Sequence, residues 1–240
     1  WEALQQAKAL WTKGNASERQ LINALGARYA DPAKGPLPLS PQERAPYDQA
    51  YAKEMKDLDT VFYDDADIAT LYAEAMMDLR PWDLWQKDGQ PQPGTPEILK
   101  ALETAMELTP NHPGANHLYI HAVEASPNPE RGVASADRLC TLVPGAGHMV
   151  HMPAHIYVHT KQWDKAAEQN VKAIAADVAY TKVSPRQGFY HIYMAHNHQF
   201  LSWACMMEGR STESIRAARD MIAGVPPEFI RDSGPAIDGY

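Results

Sequence analysis

Apolar positions recur along this chain at helical spacing, and no stretch alternates apolar and polar residues as a strand would. Helices are therefore expected throughout. Ser17 and Gln20 have the spacing of a capping box ahead of "ERQLINALGARYA". Ser40, with Pro41 next and Glu43 three residues on, predicts a long helix running to about Val61. "DDADIATLYAEAMMDL" predicts another, its leading acids suited to the positive end of a helix dipole; Asp64 and Asp65 read as capping groups rather than catalytic ones. Thr95-Pro96 is expected to cap "EILKALETAMEL". Further helices are expected at about 114–125, 129–142, 148–160, 163–179, 188–208 and 211–223. Stretches 31–40 and 81–94, rich in Pro, Gly or Trp, read as irregular loops folded over the helices.

Short turns between helices call for a test of internal repetition. Pro110 and Pro144, His117 and His151, and His121 and His155 are each 34 residues apart, which is the tetratricopeptide period. "LYAEAMM" at 71–77 aligns with "LYIHAVE" at 118–124, placing Glu74 in phase with His121; "MAHN" at 194–197 aligns with "PAHI" at 153–156, placing His196 in phase with His155. The fold class expected is all-α, a tetratricopeptide-like helical-repeat solenoid of antiparallel helix pairs, as one domain over residues 1–240. The first helices of such repeats line a concave groove, so Glu74, His121, His155 and His196 would form a ladder across it. The chain opens directly on helix and ends without a polar cap, which predicts a central part of a longer polypeptide.

Composition narrows the function classes. The chain has 240 residues and a net charge of −8, with no Lys/Arg-rich run, so nucleic acid is not an expected partner. No apolar run is long enough for a membrane span. Two cysteines far apart make neither a disulfide framework nor a CxxC motif. HExxH, GxSxG, P-loop and dinucleotide fingerprints are absent.

Histidine changes the picture. Seven of the ten fall in "HPGANHLYIHAVEAS" and "GAGHMVHMPAHIYVHT". His117, His121 and Glu124 share one helix face at i, i+4, i+7; His148, His151 and His155 share another at i, i+3, i+7. Imidazoles and a carboxylate converging from neighbouring helices suit Zn, Fe, Cu or Mn. The metal ligands expected are His117, His121, His148, His151, His155 and His196. Glu124 and Glu74 are the candidate ligands or general bases. Asn116, Tyr119, Tyr190, Tyr193 and Asn197 are placed to orient the rings or bind a cofactor. Pro153 should kink its helix or start its regular part. Met149, Met152, Tyr157, Phe200 and Trp203 read as core; His112 as a loop residue; His159 and His198 as solvated. The competing reading is a buried histidine cluster satisfied by Tyr and Asn hydrogen bonds, with no metal.

The segment from "HPGANHLYIHAVEAS" through "GHMVHMPAHIYVHTKQWDKAAEQN" resembles a bacterial family identified as tetratricopeptide repeat proteins, as do "SERQLINALGARY", "DDADIATLYAEAMMDLRPW" and "YMAHNHQFLSWACMMEGRS". The resemblance covers nearly the whole chain. It implies an all-helical repeat fold and a bacterial source, with cytoplasm and periplasm both open, and it brings no settled activity. Two function classes follow from the residues. One is a metal-dependent enzyme, oxidative or hydrolytic, with its site in the groove. The other is a scaffold whose groove takes a peptide or a small acidic ligand over a structural histidine cluster.

Overall fold

The computed structural model describes residues 1–34, 39–185 and 187–225. The chain forms two compact units, Trp1–Leu118 and Tyr119–Tyr240. The first holds α1 (Glu2–Ala9), α2 (Ala16–Arg28), α3 (Pro41–Val61), α4 (Ala66–Asp78), α5 (Thr95–Leu108) and the first turns of α6 (Pro113–Glu124). The second holds the end of α6, then α7 (Val133–Leu142), α8 (Gly147–His151), α9 (Pro153–His159), α10 (Trp163–Val183), α11 (His191–Met207) and α12 (Ser211–Gly224). Among the described residues the only paired extended backbone is an isolated bridge between Trp85 and Pro91. No helix among them is long and apolar enough to cross a membrane.

Helix neighbours in sequence are neighbours in space. In the first unit α2 packs on α3, α3 on α4 and α4 on α5; in the second α7 packs on α9, α9 on α10, α10 on α11 and α11 on α12. Each unit has its own core: Met55, Ile68, Ala73, Ile98 and Leu102 in the first, and Ile120, Val123, Leu139, Ile156, Ala166 and Ala204 in the second, all nearly or fully inaccessible. Alanines at the contacts let the helix axes approach.

The helix starts show which local signals won. Ser40 and Glu43 form the expected capping box and α3 runs to Val61. Asp65 caps α4, accepting from the backbone N–H of Asp67 and Ile68. The box of α2, however, is Asn15 with Glu18 rather than Ser17 with Gln20. Both pairs have the right spacing, and the earlier one starts the helix two residues sooner; Ser17 then lies inside the helix and donates to Asn15 Oδ1. Thr95 is likewise inside α5, whose cap is Gly94 at φ +93. Its hydroxyl instead donates to the Leu84 carbonyl, tying down the 81–94 loop over a buried Leu84. His112 does more than a loop residue: its Nδ1 accepts from the Ala115 N–H at the start of α6, and its Nε2 lies 2.8 Å from Asp67 Oδ1. Of the 31–40 loop, residues 35–38 lie outside the described residues, as does the C-terminal "GPAIDGY".

The stretch expected as one helix over 148–160 is two. Pro153 sits at the first position of α9, where its missing N–H costs nothing, and Met152 joins it to α8. Trp203 is more than a third exposed rather than core, lying over Phe200 and Trp163.

Candidate metal centre

Within the second unit, α6, α9 and α11 carry His121, His155 and His196 side by side. Ring centroids are 5.8 Å apart between His121 and His155 and 5.5 Å between His155 and His196. His151 on α8 joins them: its centroid is 4.8 Å from those of both His155 and His196. Phe200, one turn beyond His196 on α11, packs its ring within 4.6–4.8 Å of all three.

Hydrogen bonding orients the ring nitrogens of this group. Asn170, fully buried on α10, donates its Nδ2 to the Ala166 carbonyl, so its Oδ1 faces His151 Nδ1 at 2.7 Å. His155 Nδ1 lies 2.5 Å from Glu124 Oε2, and His196 Nδ1 lies 3.0 Å from the Gln199 amide oxygen. An oxygen that only accepts requires an N–H on each of these three Nδ1 atoms, and each neutral ring then keeps its lone pair on Nε2. Those Nε2 atoms face one another: 2.8 Å separates His151 from His155, and 3.4 Å separates His155 from His196. One ligand nitrogen from each of the three lies within 4.8 Å of the others.

Lone pairs at such distances repel unless a positive charge sits between them. An extra proton on His151 or His196 is opposed by the surroundings. Burial first, then the like charges of His155 and His196, push His151 well below the ordinary imidazole range; burial and His155 push His196 down to about 4. A metal ion would offset the cost of burying its charge with coordination bonds to the ring nitrogens. Bonds of about 2.0–2.1 Å at tetrahedral angles put ligand nitrogens about 3.3 Å apart, close to what these residues offer. Each of the three rings also has an oxygen partner behind it, as imidazoles that bind metals commonly do.

Glu124 links two rings, its other oxygen lying 2.8 Å from His121 Nδ1. Burial alone would raise its carboxyl, but attraction to His155 and His121 outweighs that and holds it well below the usual range. With both oxygens engaged it is placed to position rings. His148 stacks against His121 and meets the Tyr193 ring edge-on at 4.7 Å. Burial, then the nearby His121, His155 and His196, push it down to about 3, so it stays neutral.

The other expected site residues are placed as follows. His117 lies one turn before His121 on α6, in the first unit. Asn116, fully buried, gives its amide hydrogens to the carbonyls of Pro110 and His112. Tyr119 is buried at the start of the second unit. Glu74 is half-buried in the first unit, raised above its ordinary range by burial against the opposing pull of Arg28. Asn197 is fully buried and donates to Asp177, whose other oxygen accepts from Tyr190, which in turn accepts from the His148 N–H. His159 is exposed. His198 is not solvated as expected: it is half-buried, and burial lowers it. Three partners were missed from sequence, Asn170, Gln199 and Phe200. Asn170 had a signal: with Ala166, Ala173 and Asp177 it lies on the buried face of α10, where an unpaired amide is costly.

No protein-family model and no curated protein matches the chain. Solved structures do. A MamA double mutant from strain RS-1 superposes with a TM-score of 0.56 at 12% identity, over 78% of this chain and 89% of that one. A crystal structure of MamA gives 0.56 at 12%, over 78% and 92%. MamA from residue 41 to its end, from Desulfovibrio magneticus RS-1, gives 0.54 at 13%, over 88% and 95%. MamA is a tetratricopeptide-like helical-repeat protein. The fold is therefore tetratricopeptide-like. At this identity the likeness extends to fold alone.

Proposed function

We propose that the protein is a metal-dependent enzyme, hydrolytic or oxidative, whose ion is held by Nε2 of His151, His155 and His196. The observation that carries this is the arrangement of the rings: oxygens of Asn170, Glu124 and Gln199 lie against Nδ1 of three histidines whose Nε2 atoms approach one another. Three protein nitrogens leave a coordination position for water or substrate, as catalytic rather than structural sites do. An all-nitrogen set suits Zn, Cu or Fe. A bound ion of this kind lowers the pKa of its water or polarises a substrate oxygen. Glu124 acts here through His155 and His121, by fixing their tautomers.

The test is elemental analysis of protein purified without a polyhistidine tag, then activity against esters, phosphate esters and phenols before and after chelation. Stoichiometric metal, lost in His151→Ala and retained in His159→Ala, with activity following it, is expected. Metal-free, correctly folded wild type that cannot be loaded overturns the reading. That outcome favours the scaffold alternative, which the helical-repeat fold also supports.

A further inference from the structure

Beside the three-histidine group lies a second pair that the first ion does not use. His121 projects from α6 and His148 from the first turn of α8, and one ring nitrogen of each lies within 4.8 Å of the other. Glu124 treats His121 as it treats His155. Its Oε1 holds His121 Nδ1 at 2.8 Å, which leaves the His121 lone pair on Nε2. One carboxylate thus sets the tautomer of a ring in each group. His148 is held in place as firmly. Gly147 packs so tightly on α10 that a Cβ there would overlap the Asp177 carboxylate. The same carboxylate accepts from Tyr190, whose hydroxyl accepts from the His148 N–H. Ring centroids across the two groups are 5.8 Å apart for His121 and His155 and 6.2 Å for His148 and His151.

We propose that a second transition-metal ion binds His121 and His148 beside the first, making a paired-ion centre that takes an anionic oxygen-donor ligand between the two ions. This rests on the first ion's site. The residues invoked, neutral imidazoles and one carboxylate, leave two divalent ions with a large excess of positive charge, and that charge selects an oxyanion. The ligand class is carboxylate or phosphate, with inorganic phosphate as the probe.

The experiment is metal stoichiometry on tag-free protein, stripped with chelator and reloaded with Co²⁺, read by elemental analysis and by the visible spectrum. Two ions per chain in the wild type, one in His148→Ala, and a phosphate-induced spectral change that His148→Ala abolishes are the expected results. A wild-type ratio of one overturns this proposal and leaves the first site standing, whether or not the variant folds. A ratio of two that His148→Ala leaves at two also overturns it. A ratio of zero overturns both.

Discussion

Lowering the pH should unfold the metal-free protein well above the carboxylate range. His148, His151 and His196 are all depressed, chiefly by burial, with His148 at about 3 and His196 at about 4. A group with a depressed folded pKa and an unfolded pKa of about 6.5 binds its proton first in the unfolded chain. The folded state is therefore at no disadvantage above about pH 6.5 and loses ground as pH falls below it. By pH 5 the gap is about 1.5 pH units, or about 2 kcal/mol each for His148 and His196 at about 1.36 kcal/mol per unit. The two together are then worth about 4 kcal/mol, and His151 adds in the same direction. Glu124 has the opposite arithmetic: its depressed pKa contributes stability that is lost only as pH falls below about 4.5, outside this window. A domain stability of 5–15 kcal/mol makes such a loss large. Because the rings interact, the slope belongs to the cluster rather than to any one of them. The assay is urea unfolding of chelator-treated protein between pH 7.5 and 5, followed by circular dichroism. Stability should be level above about pH 6.5 and fall by several kcal/mol by pH 5, and His196→Gln should flatten the fall. A wild-type stability that stays level from pH 7 to 5 would refute the assignment of neutral, buried rings.

Asn170→Leu removes the acceptor that fixes His151 Nδ1 and leaves that N–H buried, so it should cost about 1–3 kcal/mol in the thermal melt and weaken metal binding about ten- to hundredfold by competition titration. Gly147→Ala should lower the melting temperature by several degrees, since the Asp177 carboxylate it meets is held by Tyr190 and Asn197 and yields only by losing those bonds. Glu124→Gln keeps the shape but turns an N–H₂ toward one of the two Nδ1–H groups. If Glu124 positions rings, metal affinity should fall about ten- to hundredfold with the fold intact; retained metal with lost turnover would make it a general base instead.

Much of this was written in the spacing. The 34-residue interval between His121 and His155 reports equal phase on successive first helices, and the structure sets those rings side by side on α6 and α9. Helix existence was legible for the same reason, since one period persists over many turns. What sequence could not settle was choice among equals. Asn15 and Ser17 each head a stretch with capping-box spacing, and the structure uses Asn15 with Glu18. Pro153 announced a break, and the structure places it between α8 and α9 with His151 and His155 nitrogens 2.8 Å apart across it. Asn170 and Gln199 have no motif, because a partner that supplies one oxygen is specified by position in space rather than by spacing in the chain.

Cost separates a bound cation from a purely structural cluster. If the cluster served folding alone, apolar side chains at 151, 155 and 196 would fill the same space among Phe200 and the helix alanines without desolvating three imidazoles. The chain instead commits a buried Asn, a Gln and a Glu to turning the lone pairs of those rings toward each other. In the metal-free state that arrangement is a liability, because burial opposes protonation of His148, His151 and His196. A cation converts it, because ligand binding to the folded state alone stabilises by about 4 kcal/mol at a thousandfold excess over Kd. That exceeds what any one of the outer hydrogen bonds contributes. On the metal reading proposed above the histidine ladder serves what it holds, and the metal content of tag-free protein decides between holding and packing.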